Sequence, residues 1–255
     1  MTPTKRLGTT AFTITLLTVV FAGSLQADPK GQEILDKLDK LATAPQDQFF
    51  VYDMTTYEEG KTPKLMTIAV TIKGTKWRRV EFTAPGDIKG TRMLVRSLTQ
   101  MYIYLPAYKR VRRIASHVRD AGFMGSTYTY DEMAIVTYGE VFSCDLAQET
   151  ETHYKLKCQR REGQEFHYAS MEMDIKKDIH RPVEIRFFNE KGVKLKTDFR
   201  SKYKCKTEEL CNPMDMKLVD HTRNDIYTSM TSREWKVNTG VKDSFFTKRS
   251  LQRGR

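Results

Sequence analysis

Histidine is scarce in this chain, with five among 255 residues. His117, His153, His167, His180 and His221 are scattered and form neither an HExxH pair nor any close couple at ligand spacing. That argues against a histidine-built metal centre. The sequence has no GxSxG elbow, no GxGxxG after a strand and no Walker loop, so the motif-borne hydrolase and nucleotide chemistries have no anchor. Ser201-Lys202-Tyr203-Lys204 matches SxxK by spacing alone, because it reads as the end of a strand rather than the start of a helix. Glu58-Glu59 and Asp131-Glu132 are adjacent carboxylates that read as turn or helix-start residues. The expectation is a protein that is not an enzyme, with no catalytic residue, no cofactor and no metal.

Linkers are missing too. No Gly/Ser-rich or Pro-rich stretch divides the chain, and it contains no internal repeat. Beyond the N-terminus, no apolar run reaches membrane-spanning length. The N-terminus itself reads as an export signal. Lys5 and Arg6 precede an uncharged apolar stretch from Leu7 to Ala22, and cleavage is expected near Ala27, before Asp28. Residues 1–27 are thus expected to leave, with residues 28–255 forming one periplasmic domain. Losing Lys5 and Arg6 lowers the formal net charge from +11 to +9, which still leaves a basic protein.

The four cysteines, Cys144, Cys158, Cys205 and Cys211, include no CxxC pair and all follow the signal. An even count in an oxidising compartment favours disulfides over zinc. Sequence order favours Cys144–Cys158 across a hairpin and Cys205–Cys211 closing a loop, out of three pairings open to four cysteines.

What the chain has in abundance is alternation. One amphipathic helix is predicted over Gly31–Leu41, where Ile34, Leu35, Leu38 and Leu41 share a face. After Pro45 the period falls to two. Phe50, Tyr52 and Met54 share one face; Met66, Ile68 and Val70 share another, as do Met171 with Met173 and Ile185 with Phe187. Turn residues such as Gly60, Gly74 and Gly192 recur at hairpin intervals. These patterns predict an antiparallel sheet of about ten or eleven strands with one dry face. So wide a sheet curls, and one helix cannot cover its concave side, although Ala115–Ala121 and Tyr130–Val136 are candidate lid segments. A cavity is therefore expected, the alternative being a barrel packed solid by its own side chains.

Residues 101–133 are the most distinctive stretch. An apolar strand, Met101 to Leu105, stops at Pro106. A cluster of cations follows at Lys109, Arg110, Arg112 and Arg113, with Arg78, Arg79 and Arg119 as candidate neighbours. The segments YLPAYKRVRRI (104–114) and FMGSTYTYDEM (123–133), with FTAPGDIKGTRMLV (82–95), resemble the LolA-like outer-membrane lipoprotein-sorting proteins. The resemblance extends over most of the chain after the signal. It implies a mainly β fold: a half-open, unclosed antiparallel barrel with an N-terminal helix and short lid helices. It also implies a carrier that binds acyl chains of lipoproteins or lipids and moves them between an inner-membrane donor and an outer-membrane acceptor. A lipid-sensing or accessory subunit of an exporter or signalling complex is the alternative.

The expected apolar cavity residues are Phe50, Tyr52, Met54, Met66, Ile68, Val70, Phe82, Tyr102, Tyr104, Phe123, Met124, Met171, Met173, Ile185 and Phe187. Methionine in such numbers suits a pliable surface, though each one singly fits ordinary core. Lys109, Arg110, Arg112 and Arg113 are the expected headgroup or partner contacts, or else a solvated face. Nucleic acid is not expected for an exported protein.

Overall fold

The computed structural model describes residues 29–75 and 77–254, so the signal-peptide reading lies outside the described residues. Helix α1 (Pro29–Ala42) comes first. Six strands follow: β1 (Asp47–Tyr57), β2 (Lys64–Lys73), β3 (Trp77–Ala84), β4 (Arg92–Ser97), β5 (Gln100–Leu105) and β6 (Arg110–Arg113). The connecting segment 114–141 contains short helix α2 (Tyr130–Ala134). Seven more strands follow it: β7 (Phe142–Glu149), β8 (His153–Arg160), β9 (Ser170–Lys176), β10 (Arg181–Phe188), β11 (Lys194–Cys205), β12 (Cys211–Asp220) and β13 (Ile226–Val237). Helix α3 (Lys248–Arg253) ends the described chain.

All thirteen strands form one antiparallel sheet in the order β6-β5-β4-β3-β2-β1-β13-β12-β11-β10-β9-β8-β7. No ladder joins β6 to β7, so the barrel is unclosed, as expected. The strand count exceeds the ten or eleven read from sequence. Strands such as β6, with Val111 as its sole apolar residue, carry too little alternation to be counted. The first strand lies at the middle of the sheet, from which the chain meanders out to β6, crosses through 114–141 to the opposite edge, and meanders back until β13 pairs with β1.

Alternation decides what lies on each face. Phe50, Tyr52, Met54, Met66, Ile68, Val70, Val80, Phe82, Met93 and Met101 point inward and form one core with Phe123, Tyr128 and Met133 of the crossing segment. A second core joins Ile34, Leu35 and Leu38 of α1 to Cys144, Leu156, Met171, Met173, Ile175, Ile185 and Phe187. Helix α1 sits close on β7: a Cβ on Gly31 would come within 2.5 Å of the Asp145 carbonyl carbon. Only glycine permits that approach. Both disulfides form, Cys144–Cys158 across β7 and β8 and Cys205–Cys211 across β11 and β12.

The outer face of β3–β6 is not left to water. Leu94, Trp77, Tyr102, Tyr104 and Val111 are covered by Phe245, Phe246 and Leu251 of the C-terminal arm. Beneath that arm Arg79 is buried, donates to Ser250 Oγ at 3.0 Å and lies 4.2 Å from the centre of the Phe245 ring. The arm is anchored by Asp47. Its Oδ1 accepts the Thr239 N–H at 2.8 Å and hydroxyl at 2.6 Å, and its Oδ2 accepts the N–H groups of Gly240 and Val241 at 2.9 and 3.1 Å.

Candidate functional site

The crossing segment enters the concavity rather than capping it from outside. Phe123, Ser126, Thr127, Tyr128, Thr129 and Asp131 are all buried. Thr129 caps α2, its hydroxyl accepting from Glu132 N while the Glu132 carboxylate accepts from Thr129 N, a reciprocal pair that fixes the start of the helix. Glu132 then reaches further: Oε1 accepts the Tyr168 hydroxyl at 2.5 Å, and Oε2 pairs with Lys196 Nζ at 3.0 Å. Thr127 bonds the Leu218 carbonyl and the Thr228 hydroxyl. Arg78 Nη1 donates to the Met133 carbonyl at 2.5 Å. The segment is thus tied to both arms of the sheet, and with α1 it fills much of the concave side. The sequence posed a cavity against a solid barrel; most of the space is filled, and a cavity remains.

That cavity offers about 220 Å³ to the centres of water-sized molecules. Its apolar wall comes from Leu38 and Leu41 of α1, Phe50, Val70 and Ile72 of the sheet, Met133, Ile135 and Val136 of the crossing segment, and Met216, Leu218 and Met230 opposite. Its polar wall comes from Tyr52, Arg78, Tyr128, Tyr138, Asp198, Arg200, Tyr203 and Asn212. Arg200 gives Nε and Nη2 to Asp198 Oδ2 at 2.9 and 2.8 Å, and Nη2 also to the Tyr138 hydroxyl at 2.7 Å. Burial raises the hydroxyl pKa of Tyr52 to about 12 and those of Tyr128 and Tyr138 above their ordinary value, so all three remain phenols at neutral pH. Burial, helped by the nearby Arg200 charge, brings Arg78 down to about 10, yet it stays cationic at neutral pH.

Of the residues expected from sequence, Phe50, Tyr52, Val70 and Phe187 line this cavity. Met54, Met66, Ile68, Phe82, Phe123, Met171, Met173 and Ile185 lie behind it as core, and Met124 packs against that core. Tyr102 and Tyr104 are on the opposite face. Met101 and Ile103 take the inward positions of β5, so the period of two sends both tyrosines to the outer surface beneath the C-terminal arm. Lys109, Arg110, Arg112 and Arg113 sit at the exposed edge of the sheet, away from the cavity. Arg78, Arg79 and Arg119 do not join them: Arg78 faces the cavity, Arg79 is under the C-terminal arm, and Arg119 lies within ion-pair distance of buried Asp131 at 3.7 Å.

Sequence reading missed the charged inner stripe Lys196, Asp198 and Arg200 on β11. These residues do alternate with period two, but the rule that charges face water assigns them outward. Phe199, between Asp198 and Arg200, reinforces that assignment by pattern, yet it is the exposed residue of the three, and no sequence signal reveals the inversion.

Two carboxylates at the margin give the fold a pH dependence. Asp39 accepts the N–H groups of Tyr138 at 2.9 Å and Gly139 at 2.6 Å, but burial outweighs those bonds and raises its pKa to about 6. Burial raises Asp131 to about 6 as well, against the pull of Arg119. Both groups hold protons in the folded chain that the unfolded chain gives up near pH 4. Their contribution is therefore fully present below pH 4 and is lost as pH rises towards 6. Each accounts for about 3 kcal/mol at most. We expect Asp39→Asn and Asp131→Asn together to flatten the fall in urea midpoint between pH 4 and pH 6. A slope identical to that of the unaltered protein would show that neither group is responsible.

Comparisons place this architecture. A family model described as "Uncharacterized protein" matches residues 74–253. A domain from Vibrio parahaemolyticus described as outer membrane lipoprotein-sorting superposes with a TM-score of 0.79 at 21% identity, covering 88% of this chain and 98% of that one. A DUF1329 family protein from Desulfovibrio piger gives 0.81 at 22% identity, covering 88% and 100%. A LolA superfamily protein from Nitrosomonas europaea gives 0.73 at 16% identity, covering 86% and 98%. At these identities the shared property is the fold. No curated protein matches the chain. No described helix is long and apolar enough to cross a membrane.

Proposed function

The chain belongs to the family matched over residues 74–253 and has the LolA-like fold, and on that premise we propose that it is a periplasmic carrier of lipid or lipoprotein acyl chains. The observation that carries this reading is the cavity: an apolar wall built from three separate parts of the chain and enclosed by a segment joining the two free edges of the sheet. Its work is physical. Each methylene that leaves water for such a wall contributes about 0.8 kcal/mol, so an acyl chain partitions into the protein without any covalent step. Phe50, Tyr52, Val70 and Phe187 contribute to the wall, with Met54, Met66, Ile68 and Met173 among the residues behind it, and the methionines let it adapt to chains of different shape. Loading and release require an inner-membrane donor and an outer-membrane acceptor that compete for the chain. The exposed cations at Lys109, Arg110, Arg112 and Arg113 form the outward contact with a membrane or with one of those partners.

The test is to purify the protein from the periplasm without detergent and compare native with denaturing mass spectra. The native mass is expected to exceed the denatured mass by that of a lipid or an acylated peptide. A protein that is empty and also ignores added lipid is not a carrier.

A further inference from the structure

The cavity is not electrically neutral, and its imbalance names the head of the ligand. Four cations border or support it, and two of them are answered by carboxylates: Arg200 by Asp198 at 2.8 Å and Lys196 by Glu132 at 3.0 Å. Arg181 is occupied by the carbonyls of Cys211, His180 and Glu209. Arg78 differs. Among the described residues it has no carboxylate partner; Nη1 meets the Met133 carbonyl, and its buried Nε has no hydrogen-bond partner. It also lies close enough to Arg200 for the two charges to repel. The two arginines come from β3 and β11, with four strands between them in the sheet, so only the curl of the sheet brings them to one cavity. Beside them Tyr128 is 8% exposed, and its buried hydroxyl has no hydrogen-bond partner. Asp198 Oδ1 is also unpartnered, but that carboxylate is already matched by Arg200.

A guanidinium enclosed without counter-charge, next to a second guanidinium and an unused phenol donor, is a costly arrangement for an empty or purely apolar cavity. One negative charge placed among them would answer the cation excess and take the free donors at once. Resting on the carrier reading above, we propose that Arg78, Arg200 and Tyr128 form a receptor for the anionic head of an amphiphile whose tail occupies the apolar wall. The head is a carboxylate or phosphate. A cationic or uncharged amphiphile leaves Arg78 unanswered and is discriminated against.

The experiment uses laurate, lauryl alcohol and dodecylammonium, which share a chain length and differ in head charge. Each displaces the neutral fluorophore N-phenylnaphthylamine from the intact protein at neutral pH. Laurate is expected to bind about tenfold to a hundredfold more tightly than the alcohol, with the ammonium weakest. Arg78→Gln should bring laurate down towards the alcohol, and Arg78→Lys should restore part of the gap. Equal affinity of the unaltered protein for laurate and alcohol overturns the head receptor while leaving the carrier reading standing, and needs no variant to fold. Failure of all three amphiphiles to bind overturns both. Displacement by inorganic phosphate at the same concentration as laurate also overturns the proposal, since the anion would then bind without a chain.

Discussion

Ile68→Asp is expected to abolish or nearly abolish stable folding. Ile68 is fully buried on the inward face of β2, where the ladders set it opposite Tyr52 on one side and Phe82 on the other. Removing the branched side chain from a close-packed site costs about 2–5 kcal/mol, and enclosing a carboxylate with no cation beside it adds several more. Ordinary domains have about 5–15 kcal/mol in total, so little would remain. Ile68→Val provides the contrast, with an expected loss of about 1 kcal/mol. Urea titration followed by far-ultraviolet circular dichroism separates the two. A midpoint for Ile68→Asp equal to that of the unaltered protein would place the side chain in water and invert the face assignment of β2.

Asp47→Ala should be the next most damaging, by a different route. Its carboxylate is buried at the start of β1 and takes four hydrogen bonds from residues 239–241. Although burial alone would raise its pKa, those donors, with Thr239 foremost, hold it below the ordinary carboxylate value. Hydrogen bonds to a charged group contribute about 1.5–3 kcal/mol each, and as a shared set they do not add fully, so a loss of about 3–5 kcal/mol is expected. The loss should also be local. Freed from its anchor, the C-terminal arm would lift from the outer face and expose Leu94, Tyr102 and Trp77. Amide exchange at Phe246 and Leu251 should accelerate well before exchange in β1 and β2 does. Asp47→Asn, which keeps one acceptor oxygen, should recover part of the effect. Unaltered exchange at those two positions would show that Asp47 does not hold the arm.

These two sites also mark how far the sequence could be read. Ile68 was legible because Met66, Ile68 and Val70 alternate with small or polar residues, and helix α1 because Ile34, Leu35, Leu38 and Leu41 recur at helical spacing. The cysteines were legible because sequence order brings each favoured pair together across adjacent strands. Asp47 was not, since its donors lie some 190 residues away and belong to a stretch with no regular structure. The polar wall of the cavity escaped for another reason. Arg78, Asp198 and Arg200 hold inward positions where charge is not expected, and periodicity reports which residues share a face without saying which face is enclosed. The cationic stretch 109–113 is legible in sequence because four charges fall within five residues. The cations that meet the cavity are isolated in sequence and gathered only by the curl.

The order of the strands also decides when each can find its neighbour. Every ladder but one joins strands consecutive in the chain, so most of the sheet assembles from near contacts. The exception is the seam between β1 and β13, whose partners, such as Phe50 with Trp235, are separated by most of the chain. Until residues 226–237 have been made, β1 has an open edge in the middle of what will become the sheet. Long-range closure of this kind comes slowly, and an unpaired apolar strand invites pairing with the wrong chain. The same layout that pairs the first strand with the last at the centre of the sheet therefore makes that seam the step at which nascent protein is most exposed to aggregation and most dependent on being kept apart from its copies.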